Sequence, residues 1–324
     1  MEQIIEKINF GEFDSQKRKM HLLERSAPTP SRKEKRESLA YMQGDYDFSG
    51  LDGQEYHENR ELSYTFYVLE RDYEYRKHNQ TVIENELMRY GEIPLYDSYS
   101  VGYYYHAKCM GVRVTDDHLS NRLIIEITFK GYPFKTSILP EGHDLVAFIN
   151  VDLDVRQYTN FSFKSKWSNF KQLNVGDMAT YGAWATQYYD PNTSTGGGAS
   201  INPRFHGITY RIVDKIAVNI SDLRPSRYAY KLANYDGWLL EQDILQAQTE
   251  FLDIILVNSG IADVPPKITT NHSVTIVRDN EIYNLMPGIY KTEQFVLKSG
   301  ENSLQLYIPN VTLKIDFTWY KELI

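Results

Sequence analysis

The chain alternates apolar and polar residues over several well-separated stretches. At residues 61–69, Leu62, Tyr64, Phe66 and Val68 fall on one face. That period of two predicts a half-buried strand. Leu123, Ile125, Ile127 and Phe129 repeat it, and Val311, Leu313, Ile315, Phe317 and Trp319 carry it close to the C-terminus. One segment breaks the period. Between 72 and 90, Ile83, Leu87 and Tyr90 fall at i, i+4 and i+7, which is one face of a helix. Gly91 stands where a left-handed residue would end that helix, with Pro94 beyond it. Tyr103-Tyr104-Tyr105 and Met110-Gly111-Val112-Arg113-Val114 read as further strands, and Gly131-Tyr132-Pro133-Phe134 as the close of this part. Residues 1–135 thus predict an α+β unit dominated by sheet.

The second half reads as shorter strands. Candidate pieces are Val146-Ala147-Phe148-Ile149, then Val155, Tyr158, Phe161 and Phe163. Ile254-Ile255-Leu256-Val257 runs into the turn Asn258-Ser259-Gly260, and Gly300-Glu301-Asn302 separates Phe295-Val296-Leu297 from Leu304 and Leu306. Short strands with turn signals at this spacing predict a sandwich. About eighty residues, 166–248, interrupt it, too many for a structureless loop in a compact domain. Trp167, Trp184 and Trp238 lie in this stretch, and its charges nearly balance. Insertion of a folded unit is tolerated at exposed loop tips, where the chain ends lie close together.

The chain has 324 residues, 42% of them hydrophobic, enough for two or three domains with real cores. Aromatics make up 14%, with 26 Tyr, a strand-favouring bias. A net charge of −8 argues against nucleic acid, whose phosphates need a basic surface. The single cysteine, Cys109, lies in an apolar stretch and is expected to be a buried, inert thiol. Met1-Glu2-Gln3-Ile4-Ile5-Glu6-Lys7 has no apolar signal-peptide core, and no apolar run reaches membrane-spanning length. Synthesis in a cytoplasm, without membrane insertion, is the expectation.

No catalytic or metal constellation stands out, so no cofactor is expected. The eight histidines show no paired ligand spacing. Asp116-Asp117-His118 is the tight acid/His cluster, and Thr115 to Asn121 reads as a hairpin turn. A glycosidase carboxylate pair stays open as an alternative.

Arg25-Ser26-Ala27-Pro28-Thr29-Pro30, the charge run Arg32 to Glu37, and Met42-Gln43-Gly44-Asp45-Tyr46-Asp47-Phe48-Ser49 precede the first strong strand. Prolines break helix and ladder alike. On physical grounds the segment is either a solvated loop or an ordered arm reaching a neighbour. The pattern "ERSAPTPSRKEKRESLAYMQGDYDFS…NRELSYTF" resembles the N-terminal domain of the distal tail proteins (Dit) of long-tailed phages infecting Gram-positive bacteria. "LVAFINVDLDVRQYTNF" and "VNSGIADVPPKI…LKSGENSLQL…VTLKIDFTWYKELI" resemble the galectin-like C-terminal domain of that family. The resemblance implies a mainly β chain: an N-terminal β-sandwich ring domain with one helix, then a galectin-like β-sandwich. It places the ring domain at 1–137 and the galectin-like domain at 138–165 and 249–324. It further implies a homohexamer in the virion tail tip with no enzymatic activity. The partners it implies are the tail tube protein, a tail-associated hub or lysin protein, and receptor-binding or baseplate proteins.

The insert, 166–248, carries its own ordered motifs: Val175-Gly176-Asp177, Ala185-Thr186-Gln187-Tyr188-Tyr189, Gly207-Ile208-Thr209-Tyr210-Arg211-Ile212, and Gly237-Trp238-Leu239-Leu240-Glu241-Gln242-Asp243-Ile244. Their order resembles the SH3-like modules attached to bacterial cell-wall hydrolases, which implies a small β-barrel and a cell-wall saccharide as ligand. Broad aromatic faces suit the apolar face of a sugar ring. Trp184, Tyr188 and Tyr189 are the candidate saccharide-binding residues, expected to be exposed, whereas Trp238 is expected in the core. Tyr188 and Tyr189 are adjacent and should point to opposite faces of a strand. The Gly-rich stretch Gly196-Gly197-Gly198 lacks the Lys-Ser/Thr of a phosphate cradle. Two rival functions stay open: a baseplate adaptor whose insert docks another virion protein, and a wall-degrading enzyme.

Overall fold

The computed structural model describes residues 6–38, 43–49, 55–141, 159–164, 170–193, 196–218, 225–233 and 236–324. The strand pieces expected at Val146–Ile149, Val155 and Tyr158 lie outside these residues, as does Trp167. The chain is mainly β, with one α-helix among the described residues. It divides into two compact units: Met1–Val151 with Gly260–Ala262 and Tyr320–Ile324, and Asp152–Ser259 with Asp263–Trp319.

The first unit is built on one large antiparallel sheet. Its strands are β1 (Ile8–Phe10), β2 (Phe13–Asp14), β3 (His21–Ser26), β6 (Arg60–Leu69), β7 (Ile93–Asp97), β8 (Tyr103–Asp117) and β9 (Arg122–Ser137), with β4 (Arg36–Ser38) and β5 (Asp45–Asp47) forming a separate hairpin. The sheet order is β2-β1-β7-β8-β9-β6-β3, and the C-terminal strand Glu322–Leu323 pairs with β9. The alternating residues do what their period demands: Leu62, Tyr64, Phe66 and Val68, with Leu123, Ile125, Ile127 and Phe129, fill one buried core. Cys109 belongs to the same core, and burial pushes its thiol pKa up, away from the reactive thiolate.

Helix α1 (Tyr73–Met88) covers this core with Ile83 and Leu87. The Asp72 side chain caps its start by accepting from Tyr75 N. Its end differs from expectation. Gly91 takes no positive φ, and the helix closes at Arg89 in the right-handed region. The glycine that needs its freedom is Gly11, at φ +61° in the β1–β2 turn, where a Cβ would stand 2.6 Å from the Tyr90 ring. Gly131 to Phe134 do not end the unit either, because β9 runs on to Ser137. Pairing with β6 stops at Gly131, so Pro133 removes no bond on that side, and a register shift opens the β8 side between Tyr105 and Ala107. Asp116, Asp117 and His118 serve the hairpin between β8 and β9, as their turn pattern indicates. Asp116 pairs with Arg76 and Lys77, each at 3.0 Å, and Asp117 pairs with Arg122 at 3.0 Å.

The second unit contains a sandwich of two four-stranded antiparallel sheets. Its strands are β10 (Asn160–Lys164), β17 (Leu252–Asn258), β18 (Lys267–Thr270), β19 (Val274–Arg278), β20 (Glu281–Leu285), β21 (Gly288–Lys291), β22 (Gly300–Tyr307) and β23 (Thr312–Thr318). The sheets run β10-β23-β18-β21 and β17-β22-β19-β20. One core lies between them, with Leu256, Ile276 and Leu306 from one sheet facing Ile268, Leu313 and Phe317 from the other. The stretch 166–248 supplies a third sheet of six strands: β11 (Met178–Thr180), β12 (Gln187–Tyr189), β13 (Gly197–Ser200), β14 (Thr209–Ala217), β15 (Tyr228–Leu232) and β16 (Trp238–Leu240). Its order is β11-β14-β15-β16-β12-β13, an open path among the described residues, with a core of its own around Tyr181, Ile212, Tyr230 and Leu239.

Candidate functional site

A cleft of about 460 Å³ opens between the end of β12, the turn after it and the start of β16. Tyr188, Tyr189 and Trp238 supply its aromatic surface, and Asp190, Asn192 and Asp236 its polar rim. Strand pairing brings these together, since Tyr189 and Trp238 are cross-strand partners. Tyr188 and Tyr189 point to opposite faces of β12, as adjacent strand residues must. Tyr188 packs on the core of the six-stranded sheet, and Tyr189 joins a second small cluster with Ala229 and Leu240. Tyr188 is half-buried and Tyr189 is buried at 6% exposure, so the cleft offers their edges rather than free rings. The Tyr188 ring lies so close over Gly237 that a methyl group there would overlap it, and Gly198 lies against the Tyr188 backbone. Both glycines are needed for close approach.

Asp190 to Thr193, just after β12, are held by hydrogen bonds. Asp190 Oδ1 accepts from Asn192 N at 2.9 Å, the Thr193 hydroxyl donates to Asp190 O at 3.1 Å, and Asp190 N donates to Gly196 O at 3.1 Å. This Asx turn fixes Asp190 at the cleft rim. Asp236 is fully exposed, with Lys231 Nζ at 3.8 Å. The described lining residues carry two carboxylates and neither lysine nor arginine.

Trp184 is not part of the cleft, and the expectation that it is exposed is corrected. It is 8% exposed, and its indole Nε1–H donates to Gln242 O at 2.8 Å. The physical reason lies in its small neighbours. Its ring folds over Gly182, where a side chain would collide with it, and Ala183 and Ala185 are fully buried. Ala183 N donates to the Thr275 hydroxyl of β19 at 3.0 Å, and that hydroxyl donates to Asn284 Oδ1 of β20 at 2.7 Å. Residues 182–185 therefore form the seam between the six-stranded sheet and the sandwich. Trp238, expected in the core, is half-buried and forms a wall of the cleft.

Glu241 supports the same sheet from within. It is 2% exposed and accepts from Arg227 N at 2.7 Å, Tyr228 N at 3.2 Å and the Tyr230 hydroxyl at 3.3 Å. The Tyr230 hydroxyl also accepts from Leu173 N at 3.0 Å. Burial, with a contribution from the Glu241 charge, pushes the Tyr230 pKa up to about 12. This network is satisfied and enclosed, so it ties strands together rather than presenting an acid to a substrate.

Sequence reasoning reached Tyr188 and Tyr189, weighed Trp238 but favoured the core for it, and missed Asp190, Asn192 and Asp236. Asp190-Pro191-Asn192 and Asp236-Gly237 are turn sequences next to aromatic strand ends, and that juxtaposition was the available signal.

No family model matches the sequence, and no curated protein matches it. Among solved structures the chain is similar to the SPP1 Dit protein (gp 19.1), described as a paradigm of the hub adsorption apparatus in phages infecting Gram-positive bacteria. There the TM-score is 0.49 at 10% identity, covering 97% of this chain and 98% of that one. It is also similar to chains of the phage P2 baseplate in its activated conformation, with TM-scores of 0.31 at 10% identity for the Ca form and 0.32 at 11% for the Sr form, each covering 97% of both chains. At such identities the likeness assigns no residue a role.

Proposed function

We propose that this chain is a structural subunit of a phage tail tip that closes into a six-membered ring, and that its cleft binds host cell-wall saccharide. The observation that carries the ring is the arm after β3. Residues 31–38, 45–49 and 55–58 form a ribbon, with Glu58 N donating to Ser31 O, Lys33 N to Tyr56 O and Phe48 N to Lys35 O, each at 2.8 Å. Within it, every strand position of β4 and β5 is exposed. An isolated two-stranded hairpin is at best marginally stable in water, so this ribbon calls for a surface to lie on, and a second copy of the chain supplies one. The ribbon also leaves from β3, an edge strand of the sheet. Edge strands with free N–H and C=O groups pair readily with other chains.

In this reading the ring stacks on the tail tube protein on one side and on a tail-associated hub protein on the other, as the sequence resemblance implies, and acts without catalysis. Six weak clefts on one ring convert later contacts into intramolecular ones, and avidity then exceeds single-site affinity by about 10²–10⁴.

The adhesion half of the reading is tested by retention of the full chain on purified walls of a susceptible Gram-positive host. Trp238→Ala is expected to reduce retention at least about tenfold, as truncating an aromatic anchor at a binding hot spot costs about 2 kcal/mol or more. A melting curve run alongside reports whether the variant is folded. Unchanged retention by a folded Trp238→Ala variant would favour the adaptor reading, in which the insert docks a virion protein.

A further inference from the structure

Resting on the saccharide reading above, we infer that the cleft takes an uncharged or amine-bearing sugar and rejects phosphate-bearing wall polymers. Wall polymers of Gram-positive hosts fall into these chemical classes, and the lining of the cleft distinguishes between them. A phosphate is bound by guanidinium forks, ammonium groups or the backbone N–H groups of a helix N-terminus. Among the described residues that line it, the cleft has none of these: it is made of strand ends and turns, and carries Asp190 and Asp236 without a basic residue.

The carboxylates suit sugar hydroxyls and amines instead. Both groups donate hydrogen bonds, and charge-assisted bonds to a carboxylate are the stronger kind. Asp190 is held for this task. Its Oδ1 is fixed by Asn192 N at 2.9 Å, which sets the plane of the group beside Tyr188 and Trp238. A sugar ring set against the Trp238 wall would turn its edge hydroxyls toward the rim. Asp236 contributes less, because it is fully exposed and shares its charge with Lys231 at 3.8 Å; exposed charges are screened by salt. Among the described residues, Lys231 is the one basic side chain paired with either carboxylate, and it lies outside the lining. The described lining is thus net negative, and a phosphodiester meets like charge without a compensating positive group.

The test is binding of the full chain to three classes of immobilised probe. Neutral probes are oligomers of N-acetylglucosamine, glucose and rhamnose; the amine-bearing probe is a glucosamine oligomer; the phosphate-bearing probes are poly(glycerol phosphate) and poly(ribitol phosphate). At least one neutral or amine-bearing probe is expected to bind, with the phosphate-bearing ones weaker by about tenfold or more at low salt. The Asp190→Asn, Asp236→Asn double variant keeps the turn acceptor and the shape of both side chains. It is expected to narrow that gap and to weaken amine-bearing probes selectively. Tightest binding to a phosphate-bearing probe, or an unchanged gap in the double variant, overturns the inference while leaving the saccharide reading standing if Trp238→Ala still releases the chain from walls. Binding to no probe, together with wall retention indifferent to Trp238→Ala, overturns both.

Discussion

Trp184→Ala is expected to destabilise the unit that holds the insert by about 3–5 kcal/mol, the usual cost of truncating a buried Trp. The side chain is buried over Gly182, with the buried Ala183 and Ala185 on either side of it in the chain, so its loss leaves a cavity. Its partner carbonyl at Gln242 also accepts from Gln248 Nε2 at 2.7 Å. The loss therefore comes from the cavity more than from an unsatisfied acceptor. Trp184→Phe should cost less, since it keeps most of the ring. Trp238→Ala should also cost less stability, because that ring is half-buried. Chemical denaturation of the three variants checks the order. A Trp184→Ala variant as stable as the parent would mean that the seam with β19 does not carry the load assigned to it.

The second large effect is expected at Asp97, in the other unit. Its side chain is 1% exposed, and Oδ2 accepts from Arg25 Nε at 2.6 Å and from the Tyr64 hydroxyl at 2.9 Å. Oδ1 accepts from Tyr99 N at 3.0 Å. Burial, and then the Asp97 charge, pushes the Tyr64 pKa upward, so that hydroxyl stays protonated and donates. Asp97→Ala removes the acceptor and leaves a guanidinium and a buried hydroxyl unpaired. Breaking a buried pair from one side costs about 3–5 kcal/mol. Arg25 sits on β3, from which the arm departs, so the variant should also impair assembly. Denaturation of the full chain measures the first effect. A loss under about 1 kcal/mol, the scale of a surface pair, would show that the network is not under strain from burial.

What the sequence made legible was set by local period. Leu62 to Val68 and Leu123 to Phe129 could be read because each strand has one buried face, which forces alternation. The helix could be read from the spacing of Ile83, Leu87 and Tyr90. Its exit could not, because a glycine after a helix takes the left-handed form only where the following chain turns that way, and here Arg89 closes the helix first. The roles of the two tryptophans escaped the sequence for a different reason. Whether an aromatic is core or surface depends on what covers it, and Trp184 lies in a seam closed by Thr275, ninety-two residues beyond Ala183. Local pattern holds no record of such a contact. Trp238 is expected in the core because aromatics dominate small cores, yet it begins its strand next to the Asp236-Gly237 turn, where the sheet opens to the cleft.

The central claim is that the chain closes into a ring through the arm that follows β3. Electron microscopy of the purified full-length chain, beside a variant lacking residues 28–48, tests it most directly. The account predicts closed six-fold rings for the full chain, and folded particles that fail to close for the variant. Monomers alone for the full chain, both in isolation and when mixed with tail proteins, or normal rings from the variant, would contradict it.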